Sequence, residues 1–343
     1  MNILPYLIAF STTVLCILLL KSLAVRIGLV DAPSERKQHE GRVPVIGGLA
    51  IFLGFLSGLL TLPISLQPYR SFIAASVLLV FTGLLDDFQE LSPRARFLAQ
   101  LLAALLMVFW GGVALHHFGA LIPHHRFILG HWSLFVTVIA VLGTINAVNM
   151  MDGIDGLAGT LVLMQLLCLV ILAWHTQQTS AAVILSVLMA SLSAFLCFNL
   201  RSPFVRCAQV FMGDAGSMLL GFALVWFLID LSQTTTITPV TMLWIMALPL
   251  FDTTRIIIHR FWQGRSVCAP DRRHLHYLFL DLGFSVQQII GLMVMIDLCF
   301  SAVGLMGYYL KISEYILFVG FFFSFIMYSW FVHRLCYRVY SMT

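Results

Sequence analysis

Five clusters of polar residues interrupt an otherwise apolar sequence, and they carry the side chains that handle phosphate groups and hard cations. Asp86 and Asp87 are adjacent in GLLDDFQELSPRARF, with Arg94 and Arg96 close behind. A carboxylate pair at a helix C-terminus lies at the negative end of the helix dipole, which is costly without a cation or a basic partner. Asn146, Asn149, Asp152 and Asp155 recur every three positions. On a helix they would share one side with a slow drift, and Gly153 and Gly156 would then break it. Their oxygens suit Mg²⁺, and their amides suit ribose or phosphate.

Asp214 stands in FMGDAGS at the start of an apolar run. Small neighbours leave room there for a diphosphate, and a helix N-cap is the plainer alternative. His274 and His276 lie in PDRRHLHY with Asp271, Arg272 and Arg273, after Asp252 and Arg255. Two positions apart, the histidines point the same way only in extended chain. No further His or Cys adjoins them as zinc would want, so contact with an anion is the expectation. Gly47 and Gly48 follow a charged loop that runs from Asp31 and holds Arg36, Lys37, His39 and Arg42. Glycines at a helix start permit close backbone approach, and the helix N-terminus favours an anion. Simple helix packing beside a solvated loop explains the same residues.

The elements that must position these groups are membrane helices. The 343 residues are 60% hydrophobic and only 10% charged, where a soluble domain carries about a quarter charged. Such a chain needs lipid as solvent for much of its exterior. A net charge of +4 gives no reason to expect nucleic acid as a partner. The seven cysteines are scattered without metal-site spacing and read as free thiols. The first apolar run lacks a basic leader and a cleavage site, so it reads as a retained helix.

Eleven spans are expected, near 3–24, 45–64, 71–85, 97–115, 132–148, 156–174, 181–198, 217–231, 240–251, 286–310 and 315–332. One set of loops holds 16 Lys and Arg residues and the other only Arg70, Arg126 and Lys311. The basic set marks the cytoplasmic side. The N-terminus is therefore expected outside and the C-terminus inside, with all five clusters on the cytoplasmic side. The expected fold is all-α, a polytopic helical bundle forming a single domain over 1–343. His116, His117, His124, His125 and His131 fall in an outer loop as surface residues, and Asp297 falls inside a span.

Carboxylates with Arg and His at a membrane boundary argue for a magnesium-bound phosphate substrate, with a lipid as one reactant. A lipid monophosphate is ionised near neutral pH, its second pKa being about 6, so no strong general base is required. Phosphoryl transfer then depends on positioning and charge neutralisation. A two-step route through an aspartyl phosphate stays open.

The ordered motifs DDF, NAVNMMDGIDGLAG, FMGDAGS and PDRRHLHY resemble the polyprenyl-phosphate N-acetylhexosamine-1-phosphate transferase family. The likeness is strongest over residues 30–290. The span count and the PDRRHLH form look closer to the undecaprenyl-phosphate GlcNAc-1-phosphate transferases than to the enzyme that transfers phospho-MurNAc-pentapeptide. The resemblance implies UDP-GlcNAc and undecaprenyl phosphate as substrates and Mg²⁺ or Mn²⁺ as cofactor. The products would be undecaprenyl-diphosphate-GlcNAc and UMP, in the first membrane step of cell-surface polysaccharide synthesis in a bacterial inner membrane.

By the same resemblance Asp86, Asp87, Asp152 and Asp155 are catalytic. Asp214, with Asp87 and Asp152, holds the metal. The resemblance puts Asn149, Arg96, His274 and His276 at the substrates, and the residue types themselves add Asn146, Arg272, Arg273, Gly47 and Gly48 as substrate-binding candidates. Tyr277 departs from the third histidine common in close relatives. Another UDP-N-acetylhexosamine as donor and a transporter of lipid-linked sugar are the competing readings. The sequence leaves the oligomeric state open, a homodimer included.

Overall fold

The structure is a computed structural model that describes residues 3–31, 42–122, 125–201, 207–264, 266 and 272–341. Arg36, Lys37, His39, His124, Arg206, Arg265, Cys268 and Asp271 lie outside these residues. With no water in the bilayer core, each spanning segment must satisfy its own backbone, and the apolar runs do so as helices. In order these are α1 (Leu4–Ile27), α2 (Gly47–Leu60), α3 (Arg70–Gln89), α4 (Pro93–Leu105), α5 (Ser133–Met151), α6 (Leu157–His175), α7 (Thr179–Asn199), α8 (Gly213–Thr234), α9 (Pro239–Ile245), α10 (Ala247–Trp262), α11 (Leu275–Asp281), α12 (Val286–Tyr309) and α13 (Glu314–Ser341).

Local chemistry marks many boundaries. Pro93 follows Ser92, whose side chain accepts the Ala95 N–H, and Thr238 caps α9 in the same way before Pro239. Ser285 and Gln288 form a reciprocal capping box at α12. Gly28 ends α1 and Glu90 ends α3, both in the left-handed region.

Among the described residues nine helices are long and apolar enough to cross a membrane, so the chain is a multi-pass membrane protein. The α9–α10 pair passes the same test as one span bent by 79°. The 14-residue α2 is apolar but short. The bend corrects the expected straight span over 240–251. Met246 interrupts the helix, and α10 continues to Trp262, where Phe261 and Trp262 are exposed. A helix of about two turns, entered by His274, also stands where a loop was expected. No disulfide forms among the described cysteines.

The bundle is organised around α8. Every residue from Ala215 to Ile229 is buried, whereas α1 and α13 turn most of their surface outward. The start of α8 is held from two sides. Gly47 and Gly48 donate their N–H groups to the carbonyls of Phe211 and Met212, each at 2.9 Å, and Phe211 N–H returns 2.9 Å to Pro44. A side chain at Gly48 would strike the backbone of Gly216, and one at Gly83 the backbone of Ala215. Glycines at these two positions let α2 and α3 close on α8 backbone to backbone.

Candidate active site

Asp87 lies in the last turn of α3, within reach of the α8 N-terminus. Its carboxylate accepts the N–H of Asp214 at 2.8 Å and that of Ala215 at 3.3 Å. The charge that is misplaced on its own helix therefore lies on the positive end of another. Asp86, 6% exposed, accepts the Leu91 N–H at 2.6 Å, and its other oxygen lies 3.1 Å from Arg96. Arg96 also reaches Asp214, at 3.7 Å. Asp214 takes a hydrogen bond from the Asn149 amide, which donates also to Ser217 Oγ at 2.8 Å. Asp214 is not the N-cap of α8. Met212 holds that position, and Gly213 turns the chain at φ +71° so that the Asp214 side chain faces α5.

The four polar residues at three-residue spacing part company. The helix ends at Met151, which corrects the expectation that all four share one side. Asn146 turns to Gln100 of α4, at 2.8 Å, while Asn149 turns to α8. Asp155 accepts from Arg201 Nε at 2.7 Å and from the Ala208 N–H at 3.3 Å. Asp152 follows α5, and its carboxylate has no hydrogen-bond or ion-pair partner among the described residues. Its side chain keeps contact with solvent, and desolvation by the surrounding protein, then the charges of Asp214 and Asp155, raise its pKa above the usual carboxylate range. Asp214 also acts electrostatically on Asp86 and Asp87, which makes it the hub of the group.

The histidines form the next wall. His274 is extended and His276 lies in the first turn of α11, yet their rings stack at 5.5 Å and 17°. One extended residue at a helix entrance suffices to bring the pair together. His276 is fully buried, with neither ring nitrogen partnered, and its ring lies against Gly153, beside Asp152. Burial, then the His274 charge, push its pKa down to about 3, against a smaller opposing pull from Asp252. Arg272 is exposed, 5.6 Å over the Tyr277 ring and 3.4 Å from Asp281. Arg273 contacts His259, and its carbonyl accepts from Arg255. The N–H groups of Gly47 and Gly48 are consumed by the segment before α8, so these glycines shape the site through packing.

Sequence reasoning missed Tyr328 and Asn199, and it named Asp252 beside the histidine cluster without a part of its own. Asp252 and Tyr328 join α10 and α13 behind His274. Asn199 accepts the Gly156 N–H and donates to the Val210 carbonyl, both at 2.8 Å, tying the turn after Asp152 to the approach to α8. The only sequence signal for Asp252 and Asn199 was a polar residue near the end of an apolar run.

A divalent ion fits this group chemically. Asp86, Asp87, Asp152 and Asp214 bring four hard carboxylates together, and among the described residues Arg96 pairs with two of them, Asp86 and Asp214. No three His, Cys, Asp or Glu side chains among the described residues form a ready-made metal cage. Mg²⁺ does not require one, since it is commonly held by one or two carboxylates, waters and substrate phosphates.

Comparison with known proteins gives one answer. The family described as Glycosyl transferase family 4 matches residues 69–232, from the start of α3 to the end of α8. An undecaprenyl-phosphate alpha-N-acetylglucosaminyl 1-phosphate transferase of Haemophilus influenzae is 38% identical over 94% of this chain and 91% of its own. Proteins of the same name from Escherichia coli K12 and Yersinia pestis are 34% and 35% identical, over 95% and 96% of this chain and 89% and 90% of theirs. The matched region holds the Asp87–Asp214–Asn149 arrangement, and the whole-length likeness takes in the histidine wall, so this chain belongs to the family of membrane glycosyl-1-phosphate transferases.

Proposed function

We propose that this protein transfers GlcNAc-1-phosphate from UDP-GlcNAc to undecaprenyl phosphate, at the cytoplasmic face of a bacterial inner membrane. The observation that carries the reading is the meeting of Asp86, Asp87, Asp152 and Asp214 with Arg96 and Asn149 where α3, α5 and α8 join, in a chain whose relatives bear that reaction's name. The expected eleven spans follow if α2 and the bent α9–α10 pair each cross. The arginine-rich loops then face the cytoplasm, with the N-terminus outside.

In the reaction a lipid phosphate oxygen attacks the phosphorus next to the sugar. The bond from that phosphorus to the bridging oxygen breaks, and UMP leaves with the electron pair. A Mg²⁺ or Mn²⁺ ion held by Asp214, Asp87 and Asp152 would neutralise diphosphate charge. Arg96 lies beside Asp86 and Asp214, where it meets a phosphate oxygen and fixes the two carboxylates. Asn149 orients Asp214. Asp87 holds the α8 N-terminus against α3, so the acid group stays assembled while substrates exchange. Asp155, bound to Arg201, keeps the turn after Asp152 in place. His274, Arg272 and Arg273 stand on the side of the second wall, suited to diphosphate or sugar.

The purified full chain, given undecaprenyl phosphate, is assayed with UDP-GlcNAc, UDP-GalNAc and UDP-MurNAc-pentapeptide in parallel. UMP release and a lipid-linked product with UDP-GlcNAc alone are expected. Preference for another donor overturns the sugar assignment, and turnover with none overturns the enzyme reading.

A further inference from the structure

Behind the histidine wall lies a carboxylate that no sequence motif assigns a role. Asp252 is fully buried in α10. One of its oxygens meets His274 Nδ1 at 2.6 Å. The other accepts from Tyr328 Oη of α13 at 2.8 Å and from the Leu275 N–H at 3.2 Å, and it faces Arg255 at 3.7 Å. A buried carboxylate is tolerated only when its acceptors are filled, and here they are filled by groups from α10, the start of α11 and α13. The Leu275 N–H is one of the donors that a helix start leaves without an intrahelical partner. The same carboxylate thus fixes the entrance of α11 and the ring that stands at it.

The ring's chemistry follows from that contact. Asp252 is an acceptor, so Nδ1 of His274 carries the proton and donates it. Nε2 is then the one ring nitrogen left for a substrate, and its tautomer and direction are set from behind. His274 in turn stacks on His276, which rests against Gly153 next to Asp152. We infer that Asp252 is the positioning residue for His274 in this transferase, acting on the diphosphate only through that imidazole. The inference rests on the function proposed above.

The test uses the full chain in detergent with UDP-GlcNAc and undecaprenyl phosphate. Asp252→Asn still offers an oxygen to Leu275 and Tyr328, but its amide N–H groups face Nδ1 and drive the proton to Nε2. A loss of about 10- to 100-fold in kcat/KM is expected, in the range seen when an outer partner of a working histidine is removed. The kcat carries that loss. In a His274→Ala background the same change costs less than about twofold, because effects running through one residue do not add. Tyr328→Phe leaves the contact between carboxylate and imidazole in place and costs less than Asp252→Asn. Multiplying losses in the double variant, or wild-type kinetics in Asp252→Asn, overturn the inference.

A second readout does not depend on turnover. ¹⁵N–¹H spectra of histidine-labelled wild-type chain, assigned with His274→Gln, place the His274 proton on Nδ1. A proton on Nε2 overturns the inference. A wild-type chain that releases no UMP sinks the proposed function instead, and the tautomer still decides the role of Asp252.

Discussion

Two acidic centres adjoin each other in this bundle and are neutralised in opposite ways. Asp252 meets an imidazole, a phenol, a backbone N–H and a guanidinium, all within the protein. The group around Asp214 gathers Asp86, Asp87 and Asp152 about it, with Arg96 as its paired cation among the described residues. A carboxylate whose acceptors are filled is a fixed part of the framework. Carboxylates crowded beyond their counter-charge are costly in the resting protein, and that cost is relieved when a cation or a cation-bound diphosphate arrives. The contrast separates positioning from chemistry more sharply than residue type does, since both centres are built of aspartate.

The strongest way to break this comparison is to remove charge from the crowded centre. Asp214→Asn and Asp152→Asn each lower UMP release by about 10³-fold or more, at or beyond the upper end for loss of one preorganised electrostatic group. Their thermal midpoints stay level or rise, because like-charge crowding is relieved. A midpoint that falls by several degrees would make these acids framework after all.

Removal of divalent ions comes next. EDTA abolishes turnover, and Mg²⁺ or Mn²⁺ restores it. Mg²⁺ with UDP raises the thermal midpoint of the wild type, and the rise is lost in Asp214→Asn, since only a ligand of the folded state stabilises it. Equal shifts in both proteins would show that the ion binds elsewhere.

Asp87 belongs partly to each class, and Asp87→Ala sharpens the distinction. It strips the acceptor from two N–H groups at the α8 start and costs about 1–3 kcal/mol of stability, read from denaturant or thermal midpoints, together with activity. Stability unchanged within error would deny Asp87 its part in the framework.

The smallest effect concerns His276, whose pKa is pushed down to about 3 in the fold, first by burial. The unfolded chain takes up this proton below about pH 6.5 and the folded chain does not. Stability from this group is therefore complete above pH 6.5 and is lost as pH falls toward 3. At pH 5 the loss is about 2 kcal/mol. His276→Gln narrows the difference in thermal midpoint between pH 7 and pH 5, and an unchanged difference would mean that the ring is hydrated.

The spans were legible because a bilayer enforces long apolar runs, and helix starts such as Ser92-Pro93 and Ser285 carry their own caps. The site clusters stood out because Asp and Asn are expensive between such runs. What escaped were pairings across the fold. Asp252 and Tyr328 are 76 positions apart, and no local pattern links them. The three-residue spacing from Asn146 to Asp155 suggested one shared side, but a helix that stops at Met151 sends its members to α4, α8 and Arg201. The bend at Met246 has its signal in Pro249, which offers no N–H to the Ile245 carbonyl four residues back and crowds it, a signal that the apolar run around it masks. Asp297 was placed inside a span, and it is buried there with Gln165 donating to it at 3.0 Å.

The bond from Asp87 to the first N–H groups of α8 has a consequence for how the protein is made. Segments enter the membrane in order, so this aspartate is threaded long before its partner emerges. Until the later segment arrives, the early ones hold an orphaned acid and no place for a nucleotide. The acid group therefore closes at a single stage of synthesis, when residues near 214 slot between two helices already waiting in the bilayer, and the histidine wall completes the site only afterwards.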